Sequence, residues 1–169
     1  MQPQRVCHPL KPVFDSRSRV LLLGTMPSPQ SRAQGFYYAH PRNRFWPVMG
    51  RIFGEPVPET AEERRRFCLE YGVALWDVLS SCVIRGAGDG SIREPEPNPV
   101  ERILQAAPIR AVFTTGRKAY TLYNRYCLPR TRMQAFSLPS TSPANCAVSL
   151  EQLETAYRAI LPYCLEEEE

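Results

Sequence analysis

Lysine is nearly absent from this chain. Of 21 basic residues in 169, only Lys11 and Lys118 are lysine, and the other nineteen are arginine. The six cysteines, Cys7, Cys68, Cys82, Cys127, Cys146 and Cys164, include no C-x-x-C pair and no group at metal spacing. That scatter argues against zinc and against an iron–sulfur cluster, and leaves free, mostly buried thiols as the expectation. No apolar run approaches the roughly 20 residues that span a bilayer. The opening MQPQRVCHPLKP lacks the apolar stretch of a signal peptide, so the expected location is the cytoplasm. Neither an internal repeat nor a linker divides the sequence. One domain over 1–169 is expected, with 1–17 and 163–169 as peripheral tails.

What is present is ordinary globular material, 43% apolar and 22% charged, with an unusual charge balance. Net charge is +4. The terminal run Glu166 to Glu169 conceals more: without those four residues, 21 basic residues face 13 acidic ones, a charge of +8. Arginine carries a planar fork of donors that matches phosphate, so the excess fits a polyanionic partner. Genome base composition is the competing source of an arginine-rich chain.

The periodicity alternates strand and helix, the pattern of an α/β fold. Strands are expected at 19–24, 73–79, 109–114 and 133–138. Helices are expected from Asn43 to about Phe53, from the capping box at Thr60 to Tyr71, from Asn98-Pro99, from Arg117 to Tyr126, and from the capping box at Ser149 to about Leu161. The product is a three-layer α/β/α sandwich around a four-stranded, mainly parallel sheet. Right-handed crossovers place the loops 25–42, 78–97, 114–117 and 139–148 on one edge. They are loaded with Ser, Thr, Pro, Gly and Arg, and ligands of open α/β sheets bind at that carboxyl edge.

The first of these loops is the most distinctive. Between the strand Val20-Leu21-Leu22-Leu23 and the helix after Asn43, residues 25–42 carry Phe36, Tyr37, Tyr38 and His40, flanked by Arg32, Arg42 and Arg44. Flat rings beside guanidinium groups suit a flat, anionic ligand such as a nucleotide. The alternative is a surface loop whose rings tuck onto the core.

GTMPS followed by GFYYAHPRNRFW, with Leu75-Trp76-Asp77 and the later PSTSPAN, resembles the uracil-DNA glycosylase superfamily. The combination is most similar to its hypoxanthine-DNA glycosylase (DNA-deoxyinosine glycosylase) branch, related to the mismatch-specific uracil glycosylases. The likeness runs from about residue 18 to 162. It implies a monofunctional, cofactor-free and metal-free enzyme that flips a deaminated base from DNA and hydrolyses its N-glycosidic bond, leaving an abasic site. A monomer is expected, associated with the nucleoid when on DNA. Tyr38 then stands where the family places its base-stacking ring, with Phe36 and Tyr37 beside it. Met26 occupies the position where other branches carry an Asn or Asp that handles the attacking water, and a thioether cannot accept a proton.

In the hypoxanthine branch the resemblance moves catalysis to the Asn of H-P-x-N-x-F-W, here Asn43, whose bland role is a helix N-cap. His40 is a candidate general acid or a loop-fixing hydrogen-bond partner, and the one histidine expected near the site. Asp77 is a candidate acceptor for hypoxanthine N1–H, or a surface or capping carboxylate. Ser28, Arg42, Ser140, Thr141, Ser142, Pro143 and Asn145 are expected to touch DNA, with Pro143, Ala144 or Asn145 filling the gap left by the flipped base. Gly116 and Lys118 are candidate phosphate binders at a helix start, Lys118 alternatively a Schiff-base lysine, and Arg32 and Arg44 phosphate contacts or solvated charge. Two rival functions remain open: a uracil or mismatch-uracil glycosylase, and a non-catalytic damaged-DNA-binding module, which Met26 favours.

Overall fold

The computed structural model describes residues 2–85 and 91–165; the glutamate run 166–169 lies outside them. Four strands, β2 (Val20–Gly24), β3 (Val73–Asp77), β6 (Ala111–Thr115) and β7 (Ala135–Leu138), form one parallel sheet in the order β3-β2-β6-β7. β2 and β6 are buried along their whole length, as strands covered on both faces must be. Val20, Leu22, Val73, Leu75 and Phe113 point to one face, against α2 (Phe45–Phe53), α3 (Ala61–Tyr71) and α7 (Leu150–Tyr157). Leu21, Leu23, Ala74 and Val112 point to the other, toward α4 (Glu101–Ala106) and α5 (Arg117–Leu122). The expected three-layer sandwich is therefore present. No helix among the described residues is long and apolar enough to cross a membrane.

Local signals explain the helices. Phe45, Val48, Met49 and Ile52 are all buried at one-face spacing on α2. Thr60 with Glu63 and Ser149 with Gln152 both close reciprocal capping boxes. The helix expected over 117–126 ends earlier, at Leu122. It loosens into a π-helical turn over Tyr123–Cys127 before α6 (Leu128–Thr131), where Pro129 cannot continue the regular ladder. The last helix tightens into a 3-10 turn over Arg158–Tyr163.

Three departures matter for the site. The loop 25–42 contains a helix, α1 (Pro29–Gln34), with Ser28 as N-cap, Pro29 at its first position and Gly35 left-handed at its end. The strand expected over 73–79 stops at Asp77. Val78 and Leu79 turn back to donate to the Gly24 and Thr25 carbonyls, and β4 (Leu79–Ile84) follows. β4 pairs antiparallel with both β1 (Gln4–Cys7) and β5 (Arg93–Pro97), making a second, small sheet. The first residues are thus not a peripheral tail. After β1, His8 donates its amide to Ser80, and Val13 exchanges both backbone bonds with Leu75. At the other end Cys164 is buried and the Leu165 amide bonds the Tyr71 carbonyl, so 163–165 also dock on the core.

Candidate active site

The strand order reverses at β2: its sheet neighbours are the next strand on one side and the third parallel strand on the other. At that carboxyl edge, where such sheets bind ligands, the ends of β2, β3 and β6 and the loop after β7 surround a cavity of about 730 Å³. Gly24, Asp77 and Thr115 supply the strand ends, Met26 to Arg32 one wall, Tyr38, His40 and Asn43 the floor and side, and 140–145 the opposite wall.

Tyr38 is held hard in place. Its ring stacks on Phe45 at 3.9 Å and 14°, and its hydroxyl lies 3.1 Å from Thr115 Oγ1. Trp46 Nε1 donates to the Tyr37 carbonyl at 3.1 Å, and the Ala39 amide donates to Ser31 Oγ at 3.1 Å, fixing the turn on both sides. Tyr38 itself has φ of 53°. A left-handed tyrosine costs about 1–2 kcal/mol, and such strain persists where the surroundings over-determine it. One ring face is covered by Phe45, and the residue is half-buried and lines the cavity. Burial first, then the Asp77 charge, raises the Tyr38 phenol, and the same two causes raise Tyr37. Both stay protonated, able to donate hydrogen bonds but not to act as bases.

Asn43 fills the expected capping role and also lines the cavity. Its Oδ1 accepts from the Phe45 amide at 2.9 Å, capping α2 one residue before the helix proper, and from Thr141 Oγ1 at 2.8 Å. A backbone amide can only donate, so the orientation of the side-chain amide is fixed. With both bonds made on Oδ1, Nδ2 is the group left over, and among the described residues it has no partner. The expectation that this amide accepts a proton from water therefore gives way: toward the cavity Asn43 is a donor.

Asp77 is 4% exposed yet lines the cavity. Its Oδ2 lies 2.7 Å from His8 Nε2, and its carbonyl accepts from Asn98 Nδ2 at 2.9 Å. Asn98, expected as a helix cap, instead clamps the β3–β4 corner, since the same Nδ2 reaches the Leu79 carbonyl at 3.0 Å. Space for the carboxylate exists because position 24 is glycine; a Cβ there would stand 2.4 Å from Asp77 Oδ1. His8 corrects the expectation that His40 is the one histidine at the site. His40 lines the cavity and makes the loop-fixing bond, its Nδ1 accepting the Arg42 amide at 3.0 Å.

The loop 139–148 is internally braced. Ser140 Oγ accepts the Ser142 amide, Ser142 Oγ the Ala144 amide, and Asn145 Nδ2 donates to the Ser140 carbonyl. Both serine hydroxyls keep their own protons to donate. Thr141 is buried beneath, while Pro143 and Ala144 form the exposed tip. Arg44, expected as a phosphate contact or solvated charge, is half-buried against this loop. Its guanidinium donates to the Val148 carbonyl and, at 2.9 Å, to the Asn145 carbonyl, and its amide to the Thr141 carbonyl.

Several expected residues fall elsewhere. Phe36 packs on Trp46 and Tyr37 and does not line the cavity. Gly116 lies behind the Ser140 loop, its amide bonded to the Leu138 carbonyl, and Lys118 is likewise outside the lining, which removes it as a Schiff-base candidate there. Tyr37 reaches the cavity but is 3% exposed, its hydroxyl donating to the Lys11 carbonyl. Ser28 lines the cavity with its oxygen engaged as the α1 cap. Arg32 also lines it, donating to the Pro27 carbonyl, and Arg42 is exposed beside it. Thr115 and His8 were missed. Two threonines closing a buried strand were a usable signal for Thr115; nothing in the sequence around His8 links it to a residue 69 positions away.

Comparison with known proteins agrees with this architecture. A family model of the uracil DNA glycosylase superfamily matches residues 11–161. A hypoxanthine DNA glycosylase of Methanosarcina acetivorans is 32% identical over 137 residues, covering 79% of this chain and 84% of that protein. Another, from Methanosarcina barkeri, is 32% identical over 110 residues, covering 64% and 70%. A solution NMR structure of a uracil DNA glycosylase candidate from M. acetivorans superimposes with a TM-score of 0.77 at 27% identity, covering 93% of this chain and 99% of that one.

Proposed function

The chain belongs to the uracil DNA glycosylase superfamily, and from that premise we propose that it removes hypoxanthine from deoxyinosine in DNA, leaving an abasic site. The observation that carries this reading is the pairing, across one cavity, of a half-buried tyrosine ring with the Asn43 amide donor and the Asp77 carboxylate. A flipped base needs a stacking surface and partners for its pairing edge. Tyr38 supplies the surface, and Asp77 Oδ1 accepts the N1–H of a 6-oxopurine. The relatives named as hypoxanthine DNA glycosylases support the choice of base.

Asn43 Nδ2 holds the attacking water by its oxygen. With Met26 in the wall and Oδ1 of Asn43 already engaged, neither of these two positions supplies a base to strip a proton from that water before attack. The C1′–N9 bond therefore breaks first, its electron pair leaving with the purine, while the sugar gains oxocarbenium character beside the DNA phosphates. Water then adds at C1′ and its proton passes to the released base. Ser140 and Ser142 hydroxyls donate to phosphate oxygens, and the Pro143-Ala144 tip enters the space the base has left. Duplexes carrying one deoxyinosine, deoxyxanthosine or deoxyuridine, cleaved by alkali at abasic sites, test the reading. Product from inosine supports it; product from uracil alone makes the protein a uracil glycosylase. Tight binding of damaged duplex without product makes it a binding module.

A further inference from the structure

Asp77 has a buried partner that base binding alone does not require. The His8 and Asp77 side chains are 2% and 5% exposed, and 2.7 Å separates Nε2 from Oδ2. The Leu10 amide donates to His8 Nδ1 at 3.2 Å, so Nδ1 is an acceptor and the ring proton sits on Nε2, pointing at the carboxylate. The segment carrying His8 is pinned on both sides, by the His8 amide on Ser80 and by Val13 on Leu75, two residues from Asp77. His8 does not itself line the cavity. What it changes is the face that Asp77 presents.

We infer that His8 is a positioning residue that sets base specificity: by holding Oδ2 toward itself, outside the cavity lining, it leaves a flipped base one carboxylate oxygen instead of two. This rests on the reading of Asp77 as the acceptor of the base edge. A carboxylate with both oxygens free is a fork that accepts two parallel N–H donors at once. Guanine offers that pair, N1–H beside its 2-amino group. Hypoxanthine is the same purine without the amino group and needs one acceptor. With Oδ2 turned to His8, which does not line the cavity, the guanine amino group finds no second carboxylate oxygen to donate to. A buried donor left unpaired is the strongest discrimination a site can build against an analogue. Guanine is the base such an enzyme must leave untouched, because every normal duplex is full of it.

The test is single-turnover release of hypoxanthine and of guanine from duplexes that differ only in that base, opposite thymine, by the full chain and its variants. His8→Leu is expected to lower hypoxanthine release and to narrow the hypoxanthine-to-guanine ratio by about tenfold or more, the worth of one hydrogen bond to a charged group. His8→Gln, whose amide nitrogen reaches the place of Nε2, keeps the ratio; His8→Asn, whose nitrogen stands at Nδ1, does not. That second pair decides the matter if the leucine variant fails to fold. A uniform loss on both bases with the ratio unchanged, guanine release still undetectable in the leucine variant, or equal ratios for Gln and Asn overturns the inference. Wild-type protein that releases no hypoxanthine refutes the underlying enzyme reading instead.

Discussion

Replacing Gly24 by alanine probes the space on which the proposed base-binding edge depends. The new Cβ would stand 2.4 Å from Asp77 Oδ1, and ordinary contact begins at 3.4 Å, so 1.0 Å of separation has to be found. The backbone of β2 cannot supply it, being bonded to β3 and β6 on both sides. The carboxylate cannot retreat cheaply either, with Oδ2 tied to buried His8 at 2.7 Å. Crowding of this kind costs about 1–3 kcal/mol, rising toward about 3–5 kcal/mol if the buried pair is broken. For a chain of this size each kcal/mol lowers the melting midpoint by about 2–4 °C. Gly24→Ala is therefore expected to melt several degrees lower and to lose hypoxanthine release by about tenfold or more, even at temperatures where it is folded. Gly35→Ala is the control, because a Cβ there meets nothing within 4 Å and only its left-handed φ of 76° resists. Gly24→Ala with wild-type melting and wild-type turnover would refute the placement of Asp77.

Tyr38→Leu removes the stacking face and is expected to weaken damaged-duplex processing by about 1–3 kcal/mol, whereas Tyr38→Phe, keeping the ring and losing only the Thr115 contact, stays close to wild type; equal losses would show that the ring is core. Arg44→Ala is expected to reduce turnover by freeing the 139–148 loop while leaving the salt dependence of DNA binding unchanged, whereas Arg42→Ala, if that exposed side chain meets a phosphate, lowers the log–log slope by about 0.9; a shallower slope for Arg44→Ala contradicts its bracing role. Burial pushes the Cys127 and Cys164 thiols from 9.0 up to about 12. Their contribution is full below pH 9 and lost as pH rises toward 12, because unfolded thiols ionise first; guanidinium midpoints should start to fall above pH 9, and a flat profile to pH 11 contradicts the burial.

The parallel sheet was legible because fully buried strands leave short apolar runs, such as Val20 to Leu23 and Ala111 to Phe113, between capping signals. The second sheet was not. β5 reads REPEP, with two prolines and no apolar alternation, and its place is set by pairing with β4 rather than by its own residues. The helix at Pro29 was signalled by Ser28-Pro29 and Gly35, and was obscured by the density of Pro, Gly and Ser around it. Tyr38, Asn43 and Asp77 were named through the motifs that carry the family resemblance, and all three line the cavity. Which oxygen of Asp77 is free, and which atom of Asn43, depends on His8 and Thr141, 69 and 98 positions away. Such pairing is tertiary information. Arg44 shows the converse: charge type suggested a phosphate contact or solvated charge, and gave no sign that the guanidinium bonds two carbonyl oxygens of the 139–148 loop.

The most direct test of the account is single-turnover excision of hypoxanthine by Asn43→Ala, measured beside its affinity for the same inosine-containing duplex. Loss of the cap costs about 1 kcal/mol of stability, which leaves a folded protein to assay. The account predicts near-native DNA affinity with hypoxanthine release reduced a hundredfold or more, on the order of a lost water-positioning group. Release at the wild-type rate would show that the water is held by another group, and the assignment of this cavity as a catalytic one centred on Asn43 would be wrong.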